Sequence, residues 1–532
     1  MKKFRIQPTR LDKAIAAIAP GWGASRLRAR GQMEVMALTG SYVGARKDRR
    51  ETQNWSVSGG SADADILWDL PTLRERSRDL VRNAPLATGA INTLVTNVVG
   101  TGLVPKARID RAVLGLEEDA ADAWETAAER IFRQWAFGPY GADVTREMNF
   151  MDLQQVAIRS TAESGDVFFV RRFTEQDGGM LGFRWQVVEG DRVCNPDNSA
   201  DTRVLRGGVQ KDEQGRVTAY HMLDQHPGDY QIGLASRTWT TLPAWARDGS
   251  RQVSHLYRML RPGQSRGVPF LAPVLEAFKQ LDAYREAEQM AAVVAAMLTV
   301  FVKTQGSEGF GVSFPSDPNN ALSSNELKLG RGAIVDLAPG EDVEVVNPGR
   351  PNQAFDPFMN AILTQIGAAL EIPLELLTKR FNSSYSASRA ALLEAWKAFK
   401  TQRFWLAQKL CVPSYEAVIT EAVARGYLDA PGFFDDPEIR HAWLQHDWIG
   451  PAPGNIDPLK EVQAARERIE GNLSTHDKET AELTGGDWER DHRQLAKEIK
   501  QIEADGTAPK PKAQANPAMP DQPDPTNQDN QP

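Results

Sequence analysis

The spacing of apolar positions changes several times along this chain, and each change marks a different kind of element. Apolar residues recur at helical intervals over residues 73–99, 117–135 and 151–163, predicting three helices. A β pattern follows. Residues 166–172 (DVFFVRR) are aromatic and β-branched, and the turn Gln176-Asp177-Gly178-Gly179 leads into 183–188, which predicts a hairpin. A second hairpin is expected where residues 204–209 and 216–222 flank Asp212-Glu213-Gln214-Gly215, and residues 253–258 read as one more strand. Nothing here alternates as βαβ, so the fold class is α+β rather than a doubly wound sheet.

Helical spacing returns from residue 271. Leu271, Val274, Leu275, Phe278 and Leu281 form a stripe, with Pro273 tolerable in a first turn. After Gln289 the stripe dissolves: Ala291, Val293, Val294, Met297 and Val300 make the helix apolar nearly all round, so it needs cover on every side. Neighbouring copies of the chain are a source of that cover. Residues 304–353 are rich in Gly, Pro, Asn and Asp and read as a small inserted module. A helix over 356–370 stops before Pro373, a loop spans 378–388, and a long helix over 389–424 should kink or break at Pro413.

Composition narrows the classes. The chain has 532 residues, enough for about three domains at roughly 100–200 residues each. Cys194 and Cys411 are its only cysteines, which leaves no disulfide framework and no cysteine-rich zinc site. The longest apolar run, 290–302, has 13 residues, short of the roughly 20 that span a bilayer as a helix. Asp12 and Lys13 interrupt any signal-like apolar stretch, so no secretion is expected. Charge is unevenly distributed. The whole chain carries −8, yet residues 1–60 hold 12 Lys/Arg and 4 Asp/Glu, so +8 sits in this arm and −16 on the rest. Residues 429–505 alone hold 18 acids against 9 bases. The arm reads as a solvated, partly disordered segment, and residues 506–532, with seven prolines, as a disordered tail.

Catalytic motifs are scarce. No G-x-x-x-x-G-K-[ST] phosphate loop and no H-E-x-x-H occur, and His441 and His446 lie five apart, off a common helical face, so they read as ordinary surface or interface histidines. No metal and no cofactor are expected. Gly263-Gln264-Ser265-Arg266-Gly267 fits G-x-S-x-G and lies between a strand and a helix, which makes a serine hydrolase using Ser265 the alternative function. Val268-Pro269, however, forces extended backbone where an elbow needs its helix to begin.

Several segments together carry a resemblance. Residues 261–288 (RPGQSRGVPFLAPVLEAFKQLDAYREAE) and 371–396 (EIPLELLTKRFNSSYSASRAALLEAW), with 163–172 (ESGDVFFVRR), 190–195 (GDRVCN), Trp448-Ile449-Gly450, Ile456-Asp457-Pro458-Leu459-Lys460-Glu461 and Gly471-Asn472-Leu473-Ser474, resemble the lambda-like portal family of tailed bacteriophages. The ordered set covers residues 65–501. The resemblance implies a phage portal fold with wing, stem, clip and crown, assembled as a ring of twelve around a DNA channel. It assigns 1–60 to the basic arm, 61–270 to the wing and 271–302 and 356–372 to two stem helices flanking a clip at 303–355. Residues 373–388 become the tunnel loop, 389–425 the kinked wing helix, 426–505 the crown and 506–532 the tail. The implied function is a structural, non-enzymatic one. Double-stranded DNA would pass through the ring during packaging and ejection. The terminase large subunit, the major capsid and scaffold proteins, and then head–tail connector proteins would dock on it. The implied place is the portal vertex of the virion, reached from the host cytoplasm, with no membrane partner.

Site residues follow from the same frame. Lys379, Arg380, Asn382, Ser383, Ser384, Tyr385, Ser386 and Arg389 are expected at the DNA, as small or cationic groups suited to phosphate contact without base reading. Lys379 and Arg380 also stand where cations favour a helix end. Phe278, Leu281, Val293, Val294 and Met297 are expected at the contact between stem helices of neighbouring subunits. A net acidic channel wall suits sliding DNA, because a wall of Lys/Arg would release counterions and bind tightly.

Overall fold

The structure, a computed structural model, describes residues 9–38, 54–55, 57, 59–138, 141–174, 179–229, 237–297, 301–304, 341–344, 354–381, 384–454 and 457–505. The tail 506–532, most of the clip and the turn Gln176-Asp177-Gly178 lie outside the described residues. The chain divides into two units, 1–65 and 66–532.

Where it is described, the first unit is mostly exposed, as a solvated arm would be, and it forms α1 (Arg10–Ile18) and α2 (Pro20–Leu38), with α3 (Ala62–Ile66) crossing the boundary. Local chemistry sets these helices. Thr9 and Asp12 form a reciprocal capping box at the start of α1, and Asp12, 2% exposed, also pairs with Arg26 of α2 at 3.2 Å. Pro20 starts α2, where its missing N–H costs nothing.

The second unit opens with α4 (Leu70–Asn83) and α5 (Pro85–Val98). The single helix predicted over 73–99 is two, because Pro85 holds Ala84 extended, at ψ 109°, between them. Then come β1 (Val104–Ala107), α6 (Arg111–Leu114), α7 (Glu118–Phe137) and α8 (Phe150–Ser164). β2 (Asp166–Phe173) and β3 (Phe183–Glu189) form the predicted hairpin, paired antiparallel from Val167↔Glu189 to Phe173↔Phe183. The second hairpin differs from its prediction. β4 (Leu205–Arg206) turns at Gly207-Gly208 into β5 (Val209–Lys211), so the expected 204–209 strand is itself broken before β6 (Val217–Leu223). β7 (Trp239–Pro243) completes this four-stranded antiparallel sheet, and β8 (Val253–Tyr257) returns to the far edge of β2.

β2 explains its own sequence. Val167 and Phe169 face the main helical core, while Phe168 and Val170 face a second cluster with Val209, Tyr220 and Met222 of the neighbouring sheet. A strand buried on both faces reads as a continuous apolar run rather than an alternation. The main core then takes in the stripe Leu271, Val274, Leu275, Phe278 and Leu281 at the start of α9 (Leu275–Met297), all at most 8% exposed. The predicted helix over 271–302 ends sooner. Residues 301–304 form β9 (Phe301–Thr304), paired with β10 (Glu341–Glu344).

α10 (Phe355–Leu370) and α11 (Leu374–Thr378) precede α12 (Tyr385–Leu406), which begins four residues before the predicted start because Ser384 caps it by accepting a bond from the Ala387 N–H. The predicted break at Pro413 is a π turn, Ala407–Cys411, which passes the axis into α13 (Val412–Ala424). Residues 426–505 carry α14 (Pro437–Trp443), β11 (His446–Ile449), α15 (Pro458–Glu470), α16 (His476–Thr484) and α17 (Trp488–Ala504). β11 pairs with β1, tying this segment to the start of the unit. The fold is α+β, as predicted.

Candidate channel and subunit-contact site

The resemblance motifs from the β-rich region meet at one carboxylate. Asp166, at the start of β2, is 0% exposed. It accepts bonds from Arg74 Nη2 at 2.6 Å and from Arg266 Nε at 2.6 Å, and its Oδ2 lies 3.3 Å from His255 Nε2. The same guanidiniums reach four backbone carbonyls: Arg74 Nε donates to Ser164 O, and Arg266 to Val193 O, Gly207 O and Gly190 O. Next to them, Arg78 of α4 pairs with Asp191. Thus 163–172, 190–195 and 261–288 are held together by charge and by close backbone approach. A Cβ on Gly267 would stand 1.9 Å from Gly165 O, and one on Gly190 would stand 2.1 Å from Asp166 Oδ1. Burial alone would raise the Asp166 pKa, but Arg266 and Arg74 outweigh it and hold the carboxyl well below the usual carboxylate range. His255 stacks on Phe168 at 4.1 Å, and burial lowers its pKa to about 4 against the pull of Asp166, so the imidazole is neutral at pH 7.

This arrangement removes the hydrolase alternative. Ser265 is 1% exposed, so no acyl substrate reaches its hydroxyl without opening the fold. The left-handed backbone of G-Q-S-R-G falls on Gly263 (φ 82°), whereas a nucleophile elbow strains the serine itself. The sheet beside it, β3-β2-β8, is antiparallel throughout. Arg266 is the functional centre of the motif, and its task is to bind Asp166.

The residues expected at DNA lie elsewhere, around the ends of α11 and α12. Lys379 is the C-cap of α11, in left-handed backbone at φ 54°, and Lys379, Arg380 and Phe381 are all exposed. Ser384 and Ser386 are exposed at the start of α12. Asn382, Ser383 and the Tyr385 side chain lie outside the described residues. Arg389 is set apart from Lys379 and Arg380 because it stands 3.8 Å from Glu461. A groove of about 540 Å³ runs beside this segment, lined by Arg258 and Lys397 against Glu371 and Glu394, so its charge is balanced.

The expected subunit contacts separate into two groups. Phe278 and Leu281 are 1% and 2% exposed within the chain's own core, so they have no surface left for a neighbour. Val293, by contrast, is 50% exposed, beside Met290 at 64%. The Val294 and Met297 side chains lie outside the described residues. On α10, Phe358 is 48% exposed and packs against Tyr284 of α9 with ring centres 4.8 Å apart. The α9–α10 pair therefore presents an apolar face at its far end and a buried one at its root.

Three bases of α12 are engaged within this chain. Lys400 pairs with Glu482, Lys397 with Glu394, and Arg403 donates to the Asn97 and Val98 carbonyls at the end of α5 while lying over Trp396. Burial lowers the Arg403 pKa to about 10. His446 is no ordinary surface histidine, since its ring packs at a tilt against Tyr415, centres 4.1 Å apart, and its Nδ1 contacts Leu444 O, whereas His441 is exposed. No cluster of three metal-ligating side chains occurs among the described residues, and no helix among them is long and apolar enough to cross a membrane.

Comparison with known proteins bears on this geometry directly. A family model described as phage portal protein, lambda family, matches residues 48–403. Among curated relatives, the portal protein of Escherichia phage N15 and portal protein B of Escherichia phage lambda are each 26% identical over 499 residues, spanning 90% of this chain and 93% of theirs. The probable portal protein of Halomonas phage phiHAP-1 is 24% identical over 473 residues, 87% of each chain. Similar solved structures include the virion of a native gene transfer agent particle (TM-score 0.40, 14% identity, 70% of this chain and 93% of that one). An HK97-family phage portal protein from Corynebacterium diphtheriae also matches (TM-score 0.29, 12% identity, 68% and 92%). The family match defines a phage portal protein. Within that class, the chain belongs to the lambda family.

Proposed function

We propose that copies of this chain close into a ring of twelve at one vertex of a phage or prophage head, around a channel that conducts double-stranded DNA inward during packaging and outward during ejection. The observation that carries this reading is the family match across 48–403. In the assembled ring the terminase large subunit docks first and head–tail connector proteins later, with major capsid and scaffold proteins around it. The protein acts as structure rather than as an enzyme. It assembles in the host cytoplasm and remains in the virion.

Two features of the chain support the reading physically. The exposed apolar end of the α9–α10 pair, with Met290, Val293 and Phe358, needs cover that its own chain does not supply among the described residues. A net charge of −8 per copy, multiplied around a ring, keeps DNA from sticking to the wall, and Lys379 and Arg380 then serve as local phosphate contacts at a constriction. Negative-stain imaging of the purified protein tests the proposal. Ring particles with a central hole are expected; compact monomers with esterase activity would overturn it.

A further inference from the structure

The last helix, α17, carries a pattern that no other described residue uses. Among the described residues it is anchored only at its beginning. Asp487 caps it by accepting from the Glu489 and Arg490 N–H groups, Lys106 binds Asp487 and Glu489 at 3.0 and 2.9 Å, and Trp488 stacks between His476 and His492. Arg493 still reaches Thr126 at 3.3 Å. Beyond Arg493, every residue to Asp505 is exposed, and among the described residues its side chains hydrogen-bond only within the helix, as Gln494 does to Glu498.

On this projecting part, residue types separate cleanly by heptad position. Trp488, Leu495 and Ile502 fall at d, with His492 and Ile499 at a. The flanking e and g positions hold Glu489, Asp491, Glu498, Glu503 and Asp505, with Ala496 the single neutral exception. The bases Arg490, Arg493, Lys497 and Lys500 all sit at b or f, away from the seam. Leu495, Ile499 and Ile502 are 50%, 46% and 38% exposed. A solvated helix has no need to sort its charges this way, because acids and bases three or four apart stabilise it wherever they stand. Sorted flanks act on a second helix. Two copies of α17 laid seam to seam would set carboxylates against carboxylates, which opposes pairing of like with like.

We propose that the exposed seam of α17 is a docking site for one amphipathic helix with basic flanks, supplied by a partner protein. Leu495, Ile499 and Ile502 receive its apolar side chains, and Glu498, Glu503 and Asp505 pair with its Lys or Arg. The apolar contact supplies most of the affinity, and the acidic flanks select the partner and speed its encounter. This goes beyond the channel reading, since no DNA contact is involved.

The test uses the full-length protein and three designed, fluorescein-labelled helical peptides with the same Leu/Ile seam, carrying Lys, Gln or Glu at every e and g position, read by fluorescence anisotropy. The Lys peptide is expected to bind at least about tenfold more tightly than the Gln peptide, the Glu peptide to show no binding, and added salt to erase the difference. Ile499→Asp and Ile502→Asp, at exposed positions, should each abolish Lys-peptide binding without changing the thermal midpoint, whereas Lys497→Glu at an f position should not. Equal binding of the Lys and Glu peptides, or binding of none, would overturn the proposal. So would loss of self-association in Ile499→Asp, which would assign the seam to a second copy of this chain.

Discussion

The Asp166 cluster and the segment around Lys379 are both charged, and both belong to stretches that carry the family resemblance, yet they solve opposite problems. At Asp166, two guanidiniums and an imidazole surround a carboxylate that sees no solvent, and their remaining donors reach carbonyls of separate loops. Taking these ions out of water is costly, and their mutual attraction offsets that cost only in this geometry. In this packing of α4, β2, β8 and the 261–267 loop, all four groups find partners. Around Lys379 the cations stay in water, where binding a phosphate costs little desolvation and release is easy. Buried charge defines a shape, whereas exposed charge stays open to solvent.

The largest effect expected from this contrast is at Asp166. Asp166→Asn leaves Arg74 and Arg266 buried without a counter-charge, and removing one partner of such a network typically costs about 3–5 kcal/mol. Urea unfolding followed by tryptophan fluorescence should show a midpoint lowered accordingly, and a loss under about 1 kcal/mol would mean that water replaces the missing charge. Arg266→Lys should fall between, because an ammonium cannot reach Asp166, Val193 O and Gly207 O at once.

His255 gives the same cluster a pH signature. Its folded pKa, about 4, lies below the ordinary histidine value of about 6.5, so in that window the unfolded chain binds a proton that the native chain refuses. Stability should therefore fall as pH drops from about 6.5 toward 4, by up to about 1.4 kcal/mol per pH unit. Asp166, held well below the usual range, keeps its contribution throughout this window and loses it only at more acidic pH. Thermal midpoints measured at pH 7.0 and 5.0 check this, and His255→Gln should flatten the slope. An unchanged slope in that variant would place the proton elsewhere.

A smaller effect on stability, but a large one on assembly, is expected at the exposed end of the α9–α10 pair. Val293→Asp changes a half-exposed position and should move folding stability by no more than about 0.5 kcal/mol. In a ring, the same aspartate would be buried against a neighbour, so sedimentation velocity should show monomers where the parent protein forms large particles. Phe278→Ala should do the reverse: it opens a cavity in the chain's own core, costing about 3–5 kcal/mol before any assembly is tested.

That pair of residues shows what spacing conveys. The stripe from Leu271 to Leu281 revealed that one helix face is covered, but a stripe does not say whose atoms cover it, and Phe278 belongs to its own chain. The all-round apolar stretch after Gln289 called for cover beyond that stripe; Val293 stands half-exposed there, and the side chains past it lie outside the described residues. The Asp166 cluster left only a faint trace. The acid opening D-V-F-F-V, the histidine in V-S-H-L-Y and the arginine in G-Q-S-R-G stand in three separate segments, and pairing them across about a hundred residues requires the fold. The helices α1 and α2 went unpredicted for a related reason: net charge describes a segment's surroundings, whereas the Thr9–Asp12 cap and the Asp12–Arg26 pair are local contacts. Glycines were the underused signal. Gly165 and Gly267 lie in separate motifs, yet each excludes a Cβ on the other.

The smallest structural perturbation should give the cleanest functional one. Lys379→Ala with Arg380→Ala removes two exposed cations that hold nothing in the core, so stability should change by less than about 0.5 kcal/mol and rings should form at normal yield. Small helix-end and left-handed backbone effects at Lys379 fall within that margin. If this segment meets DNA in the channel, packaging or retention of the genome should nevertheless drop several-fold, measured as DNase-protected DNA per assembled head. Lys379→Arg with Arg380→Lys, which keeps both charges, should restore it, because backbone phosphates are recognised by charge rather than by one side-chain shape. Arg389→Ala separates the two roles within the segment. Its guanidinium stands near Glu461, so its loss should loosen the start of α12 against α15 more than it weakens the hold on DNA. Normal packaging by the double alanine variant would remove Lys379 and Arg380 from the channel, whatever the rings look like.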